Sequence, residues 1–364
     1  MSTSVAPPPL GIPSSEATVN VRIIDSTARV RVPKDMFLSP KISGHTHVNC
    51  PTFSFLVEHA SGRRILFDLG GKKDWTNLAP VVVKQLTAVN ATITIEKNVV
   101  EILEENGVKA ESIEAIVWSH WHWDHTGDPS TFPPSTNLIV GPGFKDAFYP
   151  GAPANPECPI LESAYTGRNL IELPLDDFKQ KLGRFQALDY FGDGSFYLLS
   201  APGHAIGHLC GLARTTTEPG TYVLMGADTA HHGGQFRPTP YLPLPSSILP
   251  NPLDFYSHTP CPGALFERIH PKRTTIAPFY GIAGDGVVHE IKEAREAIEK
   301  LEEFDGHTDQ VFVIVAHDDT VLDIVDFFPK NLNAWKENGW AEKVRWRFLK
   351  DFKEAVSEQE KEGK

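Results

Sequence analysis

Five apolar runs along this chain each lead into a polar residue. Each of these residues could bind a metal ion or hold a metal-binding residue in place. An apolar run of four to eight residues bounded by turn residues is typical of a buried strand. We therefore predict strands over Arg64–Phe67, Ile116–Trp118, Ser195–Ser200, Thr221–Gly226 and Val311–Ala316. The polar residues that follow them are Asp68, His120, His204, Asp228 and His317. Ligands usually bind beyond the carboxyl ends of strands in α/β sheets, so this repetition predicts one shared site.

Helical spacing of apolar residues appears in three further segments, so helices and strands are mixed along the chain. Glu96–Asn106 has this spacing and ends at Gly107, a residue type that commonly terminates a helix. Glu290–Phe304 has the spacing of an amphipathic helix, and Trp340–Phe352 repeats apolar residues every four positions. The mixture predicts an α/β fold.

Proline content suggests how the chain is divided. Residues 1–18 are rich in Pro and Ser and are predicted to form a disordered tail. Residues 19–330 are predicted to form one large domain with Pro-rich insertions at about 129–160 and 233–262, followed by a helical extension over 331–364. The second insertion has too many prolines for a central strand or helix and is expected to wrap the surface and cover the site.

The densest group of reactive side chains is the H-x-H-x-D-H pattern that directly follows the second apolar run. Side chains alternate along an extended segment, so His120 and His122 are expected to point the same way and hold one ion. Asp124 and His125 lie in the turn that follows and could reach a second ion. Imidazole and carboxylate ligands without thiolate favour zinc, manganese, iron or cobalt in a reactive site over a purely structural zinc.

Charge and cysteine usage narrow the range of partners. The chain has 34 Lys and Arg against 46 Asp and Glu, and the formal net charge of −12 would repel nucleic acid. The four cysteines are scattered without a C-x-x-C pair, which predicts reduced thiols in a cytoplasmic protein. The stretch Met1–Ser15 lacks the features of a secretion or transit signal, and no membrane-spanning segment is expected.

Five short motifs, in their order and spacing, closely resemble those of the metallo-β-lactamase superfamily. They are FDLG at 67–70, HWHWDH at 120–125, APGHAIGH at 201–208, MGAD at 225–228 and VAHD at 315–318. The resemblance runs from about Val19 to Phe328. It implies an αβ/βα sandwich of two mixed β-sheets flanked by helices, with metal ions in a cleft between the edges of the two sheets.

The resemblance also implies a role for each motif residue. The metal ligands would be His120, His122 and His204 for the first ion, Asp124, His125 and His317 for the second, and Asp228 for both. Asp68 would support the ligands, and His208 would stabilise the loop of His204. Two Zn²⁺ per chain are expected, with Mn, Fe or Co as alternatives.

The complete ligand set, without cysteine at any motif position, resembles the dinuclear lactonase and glyoxalase II branch, and the N-terminal hairpin is similar to N-acyl-homoserine lactonase-like proteins. This resemblance implies a hydrolase that opens a lactone, a cyclic ester, by attack of hydroxide held between two metals on the carbonyl. A lactam or cyclic carbamate, as in a lactamase-type detoxification of xenobiotics, is the alternative substrate because both reactions use the same hydroxide. An acyl thioester ranks third because no basic groove for an acidic thiol carrier is visible.

Three residues are predicted to act in the reaction itself. Asp228 would hold both ions, so its loss is expected to be the most damaging single change. Asp124 or His231 would protonate the leaving group; His231 stands where those lactonases often have a tyrosine, and it is equally interpreted as a surface histidine. Aromatic residues of the second Pro-rich segment and of Phe144–Tyr149 are interpreted either as the lining of a pocket for a hydrophobic small molecule or as loop packing.

Other activities of this fold are disfavoured by the sequence. A di-iron reductase usually has a carboxylate in place of one ligand histidine and an attached flavin module, and neither is visible. A nuclease would normally have a basic face, whereas this chain is acidic. The sequence gives no indication of the oligomeric state.

Overall fold

The computed structural model describes residues 4–89, 91–284 and 287–362. The strands are β1 Val19–Pro33, β2 Leu38–Ser39, β3 His47–His59, β4 Arg64–Phe67, β5 Thr92–Thr94, β6 Ala115–Val117, β7 Asn137–Val140, β8 Leu170–Glu172, β9 Gln180–Leu182, β10 Phe185–Asp189, β11 Phe196–Ser200, β12 Leu209–Thr217, β13 Gly220–Ala227, β14 Ser247–Ile248, β15 Cys261–Pro262, β16 Gly281–Ile282 and β17 Val311–Val315. The α-helices are α1 Pro80–Ala88, α2 Val99–Glu105, α3 Trp123–Thr126, α4 Phe144–Phe148, α5 Ala264–Ile269, α6 Ile291–Gly306, α7 Trp340–Arg345 and α8 Lys353–Glu362. All five strands predicted to lead into site residues are present, as β4, β6, β11, β13 and β17.

Two mixed sheets form the centre of the molecule. The first has seven strands in the order β5-β1-β3-β4-β6-β7-β8, and the second has six in the order β17-β13-β12-β11-β10-β9. Strands β4, β6, β7 and β8 run parallel to one another, and β13 runs parallel to β17. Because parallel neighbours end at the same edge of a sheet, β4 with β6 and β13 with β17 bring their carboxyl ends together.

The alternation of side chains along each strand divides the core into layers. In β11, Phe196 and Leu198 pack between the two sheets, whereas Tyr197 and Leu199 pack on the outer face against α6. The outer face of the first sheet packs against α2 and α4 in the same way. Strands that are buried on both faces need apolar residues at every position, which is why the sequence shows unbroken apolar runs. The predicted αβ/βα sandwich is confirmed.

The backbone turns sharply where two of these strands end. Asp68 follows β4 with φ of 62°, and Ala227 ends β13 with φ of 45°. Aspartate tolerates the left-handed region through local hydrogen bonds, but alanine rarely adopts it. The β13–β17 pairing also shifts register between Met225 and Ala227. This local strain turns the chain out of the sheet immediately before Asp228, a pattern that often accompanies functional sites.

The terminal segments differ from their predictions. The first eighteen residues were predicted to be disordered; residues 1–3 lie outside the described part, but residues 4–18 pack along the second sheet. Leu10 is buried, its carbonyl accepts a hydrogen bond from the Gly183 amide, and the Pro13 carbonyl accepts one from Arg214. The predicted helix over Trp340–Phe352 is instead α7 followed by a 3-10 helix over Arg347–Phe352.

The two Pro-rich segments match the predicted insertions only in part, since much of 240–262 is exposed or half-buried. Residues 129–160 contain β7, an internal strand of the first sheet, and the helix α4. Residues 233–239 are buried, and among them Phe236 packs into the core beneath α6. The four cysteines are unpaired and buried. Among the described residues, no helix combines the length and apolarity needed to cross a bilayer.

Candidate metal centre

Four predicted ligands meet at the first half of the site. The Nε2 of His120 and the Nε2 of His204 lie 2.9 Å and 3.0 Å from the Nδ1 of His122. The Oδ2 of Asp228 lies 3.3 Å from the Nε2 of His204 and 3.7 Å from that of His120. A ring nitrogen has one hydrogen or one lone pair, so hydrogen bonding can satisfy only one of the contacts to His122. The four atoms point instead at a common centre between them.

The other predicted ligands meet on the far side of Asp228. Its Oδ1 lies 3.1 Å from the Nε2 of His125 and 3.2 Å from the Nε2 of His317. The Nε2 of His317 is 3.6 Å from the Oδ2 of Asp124. Each carboxylate oxygen of Asp228 therefore faces one group of ligand atoms. The structure thus brings together all seven residues that the resemblance assigned to metal binding.

The donor atoms fit a pair of divalent cations. Ligands 2.0–2.1 Å from a zinc ion at tetrahedral angles lie about 3.3 Å apart, close to the separations in both groups. The Nε2 of His125 and the Oδ1 of Asp228 are buried, and within the described part of the chain neither has a hydrogen-bond partner. Buried polar atoms without partners are costly unless something else satisfies them. Two ions, one on each side of Asp228, would do so.

Asp68 fixes the ring tautomers of two ligand histidines. Its Oδ2 accepts hydrogen bonds from the Nδ1 of His125 at 2.9 Å and from the Ser119 hydroxyl at 2.7 Å. Because that hydroxyl donates to Asp68, it accepts from the Nδ1 of His120 at 3.0 Å. The Ser119 amide donates to Oδ1 at 2.6 Å. Both imidazoles therefore carry hydrogen on Nδ1 and turn the Nε2 lone pair toward the centre, as ligand histidines require.

Two further contacts hold ligands from the second sheet. The Nδ1 of His317 donates to the Pro51 carbonyl at 2.8 Å, which leaves its Nε2 free to face the centre. The Asp228 amide donates to the Nε2 of His208 at 3.2 Å. His208 therefore fixes the backbone of Asp228. Asp68 thus makes the contacts expected of a supporting residue, whereas the side chain of His208 contacts the Asp228 backbone in place of the loop of His204.

We expect Asp68→Asn to weaken metal binding by about 10- to 100-fold, because supporting partners of ligand histidines have effects of this size. Asparagine tolerates the positive φ of this position, but its NH₂ group cannot accept a hydrogen bond from Ser119 or His125. Competition with a chromogenic chelator measures the change. Asp128→Asn is the control, since Asp128 accepts hydrogen bonds from Ser130 in the same loop region and touches no ligand. Equal affinities for all three proteins would contradict the role given to Asp68.

A cavity of about 440 Å³ opens onto the centre. Its walls come from β1, the loop after it, α1 and the motif loop, and include Val32, Met36, Phe37, Val82, Trp121 and Trp123. Among the described residues that line the cavity, none is a lysine or arginine, and Gln85 is the polar side chain outside the ligand groups. The aromatic residues of the second Pro-rich segment do not line this cavity. Phe236 packs in the core as the packing interpretation expects, whereas Tyr256 is exposed.

His231 lies at the edge of the centre and is buried, so it is not a surface histidine. Its Nε2 is 3.3 Å from the Oδ2 of Asp228. Its ring stacks on Phe37 with a centroid separation of 4.3 Å. His231 and Phe37 line a second, smaller cavity together with His204 and Asp228. Sequence patterns gave no signal for Phe37, because the loop that carries it reaches the site only through the β1–β3 pairing.

Comparison with known proteins agrees with this arrangement. A family model described as the metallo-beta-lactamase superfamily matches residues 47–217. A protein named gamma-lactamase FDB1, from Fusarium pseudograminearum, is 46% identical over 362 residues, which cover 97% of this chain and 87% of that protein. The chain belongs to the metallo-beta-lactamase superfamily.

One more relative and one solved structure are also similar to this chain. A protein named gamma-lactamase MBL2, from Gibberella moniliformis, is 47% identical over 242 residues, or 65% of this chain and all of that protein. A crystal structure of AiiA from B. thuringiensis, with N-decanoyl-L-homoserine bound at its active site, has a TM-score of 0.57 and 17% identity. The match covers 88% of this chain and 100% of the AiiA chain, and it shows the same fold.

The electrostatics of the centre suit the metal binding of this superfamily. Burial lowers the pKa of His122 to about 4 and holds the pKa values of His120 and His204 well below the usual value. These three rings are therefore neutral, with lone pairs available. Burial also acts to lower the pKa of His125, but the carboxylates of Asp228 and Asp68 raise it well above the usual value.

We expect metal content to fall as the pH falls. The pKa of His317 is raised, like that of His125. Burial acts to lower it, but the nearby Asp228 carboxylate has the larger effect. A metal binds only the unprotonated ring nitrogen. Because the pKa of these rings is raised, protons begin to displace the metal at a higher pH than for an ordinary histidine, so binding is favoured at high pH and lost as the pH decreases. After dialysis, elemental analysis should find less than half of the pH 8 metal content at about pH 5.5. Full retention at the lower pH, with the fold intact by circular dichroism, would contradict this.

Proposed function

We propose that this chain is a dinuclear metal-dependent hydrolase that opens a five-membered cyclic amide, a γ-lactam. The observation that carries the proposal is the convergence of six histidine and aspartate side chains, four of them buried, on the two sides of the buried Asp228, with His231 beside them. The names of two relatives at 46% and 47% identity support the γ-lactam. The lactone expected from the sequence becomes the second candidate.

In this proposal, His120, His122 and His204 would hold one ion, Asp124, His125 and His317 would hold the other, and Asp228 would be a ligand to each. Two zinc ions fit the imidazole and carboxylate donors, and Mn, Fe or Co remain possible. When bound, such ions supply a water of lowered pKa as the nucleophile and polarise the carbonyl of the substrate. Asp68, Ser119 and Pro51 keep the ligand rings in the correct tautomer while substrates exchange.

His231 is the feature that favours an amide over an ester. A ring amide opens only when its nitrogen receives a proton, whereas the alkoxide of an ester leaves more easily. The Nε2 of His231 is buried, lies 3.3 Å from Asp228 and has no hydrogen-bond partner within the described residues. It is therefore placed to donate a proton to the departing nitrogen, and Asp124, on the other side of Asp228, could assist.

The large cavity sets the kind of substrate. Its apolar walls and the lack of lysine and arginine among the described lining residues favour a neutral, hydrophobic small molecule. They disfavour the acidic glutathione or carrier thioesters that ranked third. No nucleic acid or membrane surface is needed for this reaction. The four buried thiols suit a cytoplasmic enzyme, which is where we place it.

The proposal is tested by metal analysis followed by assays on the same sample. Elemental analysis should find two zinc ions per chain, and the protein should hydrolyse neutral γ-lactams with aromatic or alkyl substituents. Matched γ-lactones test the second candidate, and charged lactams of the same size serve as controls for the cavity. Turnover of the lactones alone would replace the lactam with the lactone. No turnover of either class by the metal-loaded protein would refute the proposed function.

A further inference from the structure

A second group of histidines lies outside the proposed metal centre. His45, His232 and Asp351 bring ligand-type atoms within 4.8 Å of one another, and Asp351 belongs to the C-terminal extension. His45 and His232 are buried, with ring centroids 5.1 Å apart. Two imidazoles and a carboxylate could form a third metal site, so the hydrogen bonds around them decide what the cluster does.

These hydrogen bonds leave no lone pair on His232 for a metal. The Gly234 amide donates to the Nδ1 of His232 at 3.0 Å, so Nδ1 carries the lone pair. The Nε2 therefore carries the hydrogen and donates it to the Oδ2 of Asp351 at 3.1 Å. The Nδ1 of His45 pairs with the Tyr280 hydroxyl at 2.7 Å. The cluster is a hydrogen-bonded network, in which a carboxylate from the C-terminal extension holds one ring.

That ring belongs to the turn that carries His231. The Gln235 amide donates to the His232 carbonyl at 2.9 Å, and the Gln235 side-chain Oε1 accepts from the His231 amide at 2.6 Å. The Gln235 side-chain amide also donates to the Phe37 carbonyl at 3.3 Å, and Phe37 stacks on His231. Continuous hydrogen bonds therefore link Asp351, through His232 and its turn, to both the backbone and the stacking partner of His231.

The rest of the C-terminal extension presses on the same region. Phe348 rests on the backbone of Gly233, where an added Cβ would lie 2.7 Å from its ring. Arg347 donates to the carbonyls of Thr320 and Leu322, in the loop that follows His317. The extension thus contacts the loop after each of the two parallel strands β13 and β17. It is positioned to hold both loops against the centre.

We propose that Asp351 and His232 are positioning residues that act through His231 in the reaction of the proposed hydrolase. Asp351 fixes the His232 ring, the ring fixes the turn at the Gly234 amide, and the turn places His231 beside Asp228. The hydrogen-bonded linkage exists without any substrate. Only its expected effect on turnover rests on the proposed function. Misplacement of a reacting group by a distant change lowers turnover more than substrate binding.

The kinetic test compares Asp351→Leu with Asp351→Asn in the metal-loaded protein. Asp351→Leu should lower kcat about 10-fold and leave KM within about twofold. Asp351→Asn, whose side-chain oxygen still accepts from His232, should restore most of kcat. The control is Glu360→Leu, which removes an exposed carboxylate from α8. Equal loss in both Asp351 variants, or loss of bound metal in proportion to kcat, would overturn the inference.

A double-mutant cycle separates positioning from general destabilisation. If Asp351 acts through His231, Asp351→Leu should have no further effect on kcat in a His231→Asn background. An undiminished effect in that background would refute the proposal.

Hydrogen exchange followed by mass spectrometry tests the linkage without any activity. Asp351→Leu should speed the exchange of amides over 231–236, including Gly234, and Asp351→Asn should not. Unchanged exchange would overturn the linkage itself. If Asp351→Leu speeds the exchange but the unmodified protein shows no hydrolase activity, the linkage stands and only the proposed function is refuted.

Discussion

Asp228→Ala is expected to abolish hydrolysis, with a loss of at least about 10⁴-fold, because water without a bound metal is a far poorer nucleophile at neutral pH. In the described part of the chain, Asp228 is the one residue whose two carboxylate oxygens face the two groups of ligand atoms, at 3.1 to 3.3 Å from three histidines. Its removal also takes away the carboxylate that lies beside the buried rings of His125, His204 and His317. Elemental analysis should find fewer than two metal ions per chain, and kinetics on the same sample should show the loss.

The matched control for this change is Asp193→Asn. Asp193 also accepts a hydrogen bond from a histidine, His59, at 2.7 Å, but its side chain is half-buried and belongs to neither group of ligand atoms. Its substitution should leave metal content and kcat unchanged. A variant Asp228→Ala that keeps two ions and more than a hundredth of the activity would show that another residue bridges them, and the assignment of Asp228 would then be wrong.

His231→Asn is expected to lower kcat for γ-lactams by about 100-fold, the usual size of a general acid's contribution. The metal content should not change, since His231 is not among the seven ligands. The loss should shrink for lactams whose nitrogen carries an electron-withdrawing group, because such a nitrogen departs without full protonation. It should also shrink for the matched γ-lactones.

The dependence on the leaving group is what distinguishes proton donation from packing. His231 stacks on Phe37, so its removal also disturbs the wall of the cavity. Phe37→Leu is therefore the control, since it disturbs the same contact and keeps the histidine. A loss that is equal for good and poor leaving groups in His231→Asn would show that the ring acts only by packing.

The sequence was sufficient to locate the centre because the chemistry and the strand ends coincide. Apolar runs identified β4, β6, β11, β13 and β17, and each led directly into a residue of the site. The H-x-H-x-D-H pattern and the four other motifs predicted the fold class, and they named the seven residues that the structure brings together and that we propose as ligands. Even the supporting role of Asp68 followed from its motif, although its three hydrogen bonds did not.

The cavity and the termini could not be predicted in the same way. Phe37 and Val82 line the cavity because the long β1–β3 hairpin and α1 fold over the centre, and no local pattern encodes that contact. Residues 4–18 have the composition of a disordered segment, but Leu10 finds a place in the core of the second sheet. Proline density suggested surface loops, yet Phe236 packs beneath α6. In each case a tertiary contact overrides the local composition.

The proposed ligands and the cavity walls come from different parts of the chain. The ligands follow strand ends at the shared edge of the two sheets, whereas much of the wall belongs to β1, the loop after it and α1. Substitutions at Val32, Val82 or Leu86 can therefore change which ring is accepted without disturbing the proposed ligands. Such a division lets relatives diverge in substrate while they keep one chemistry. It also marks these three positions as the first choice for a library that seeks new substrates.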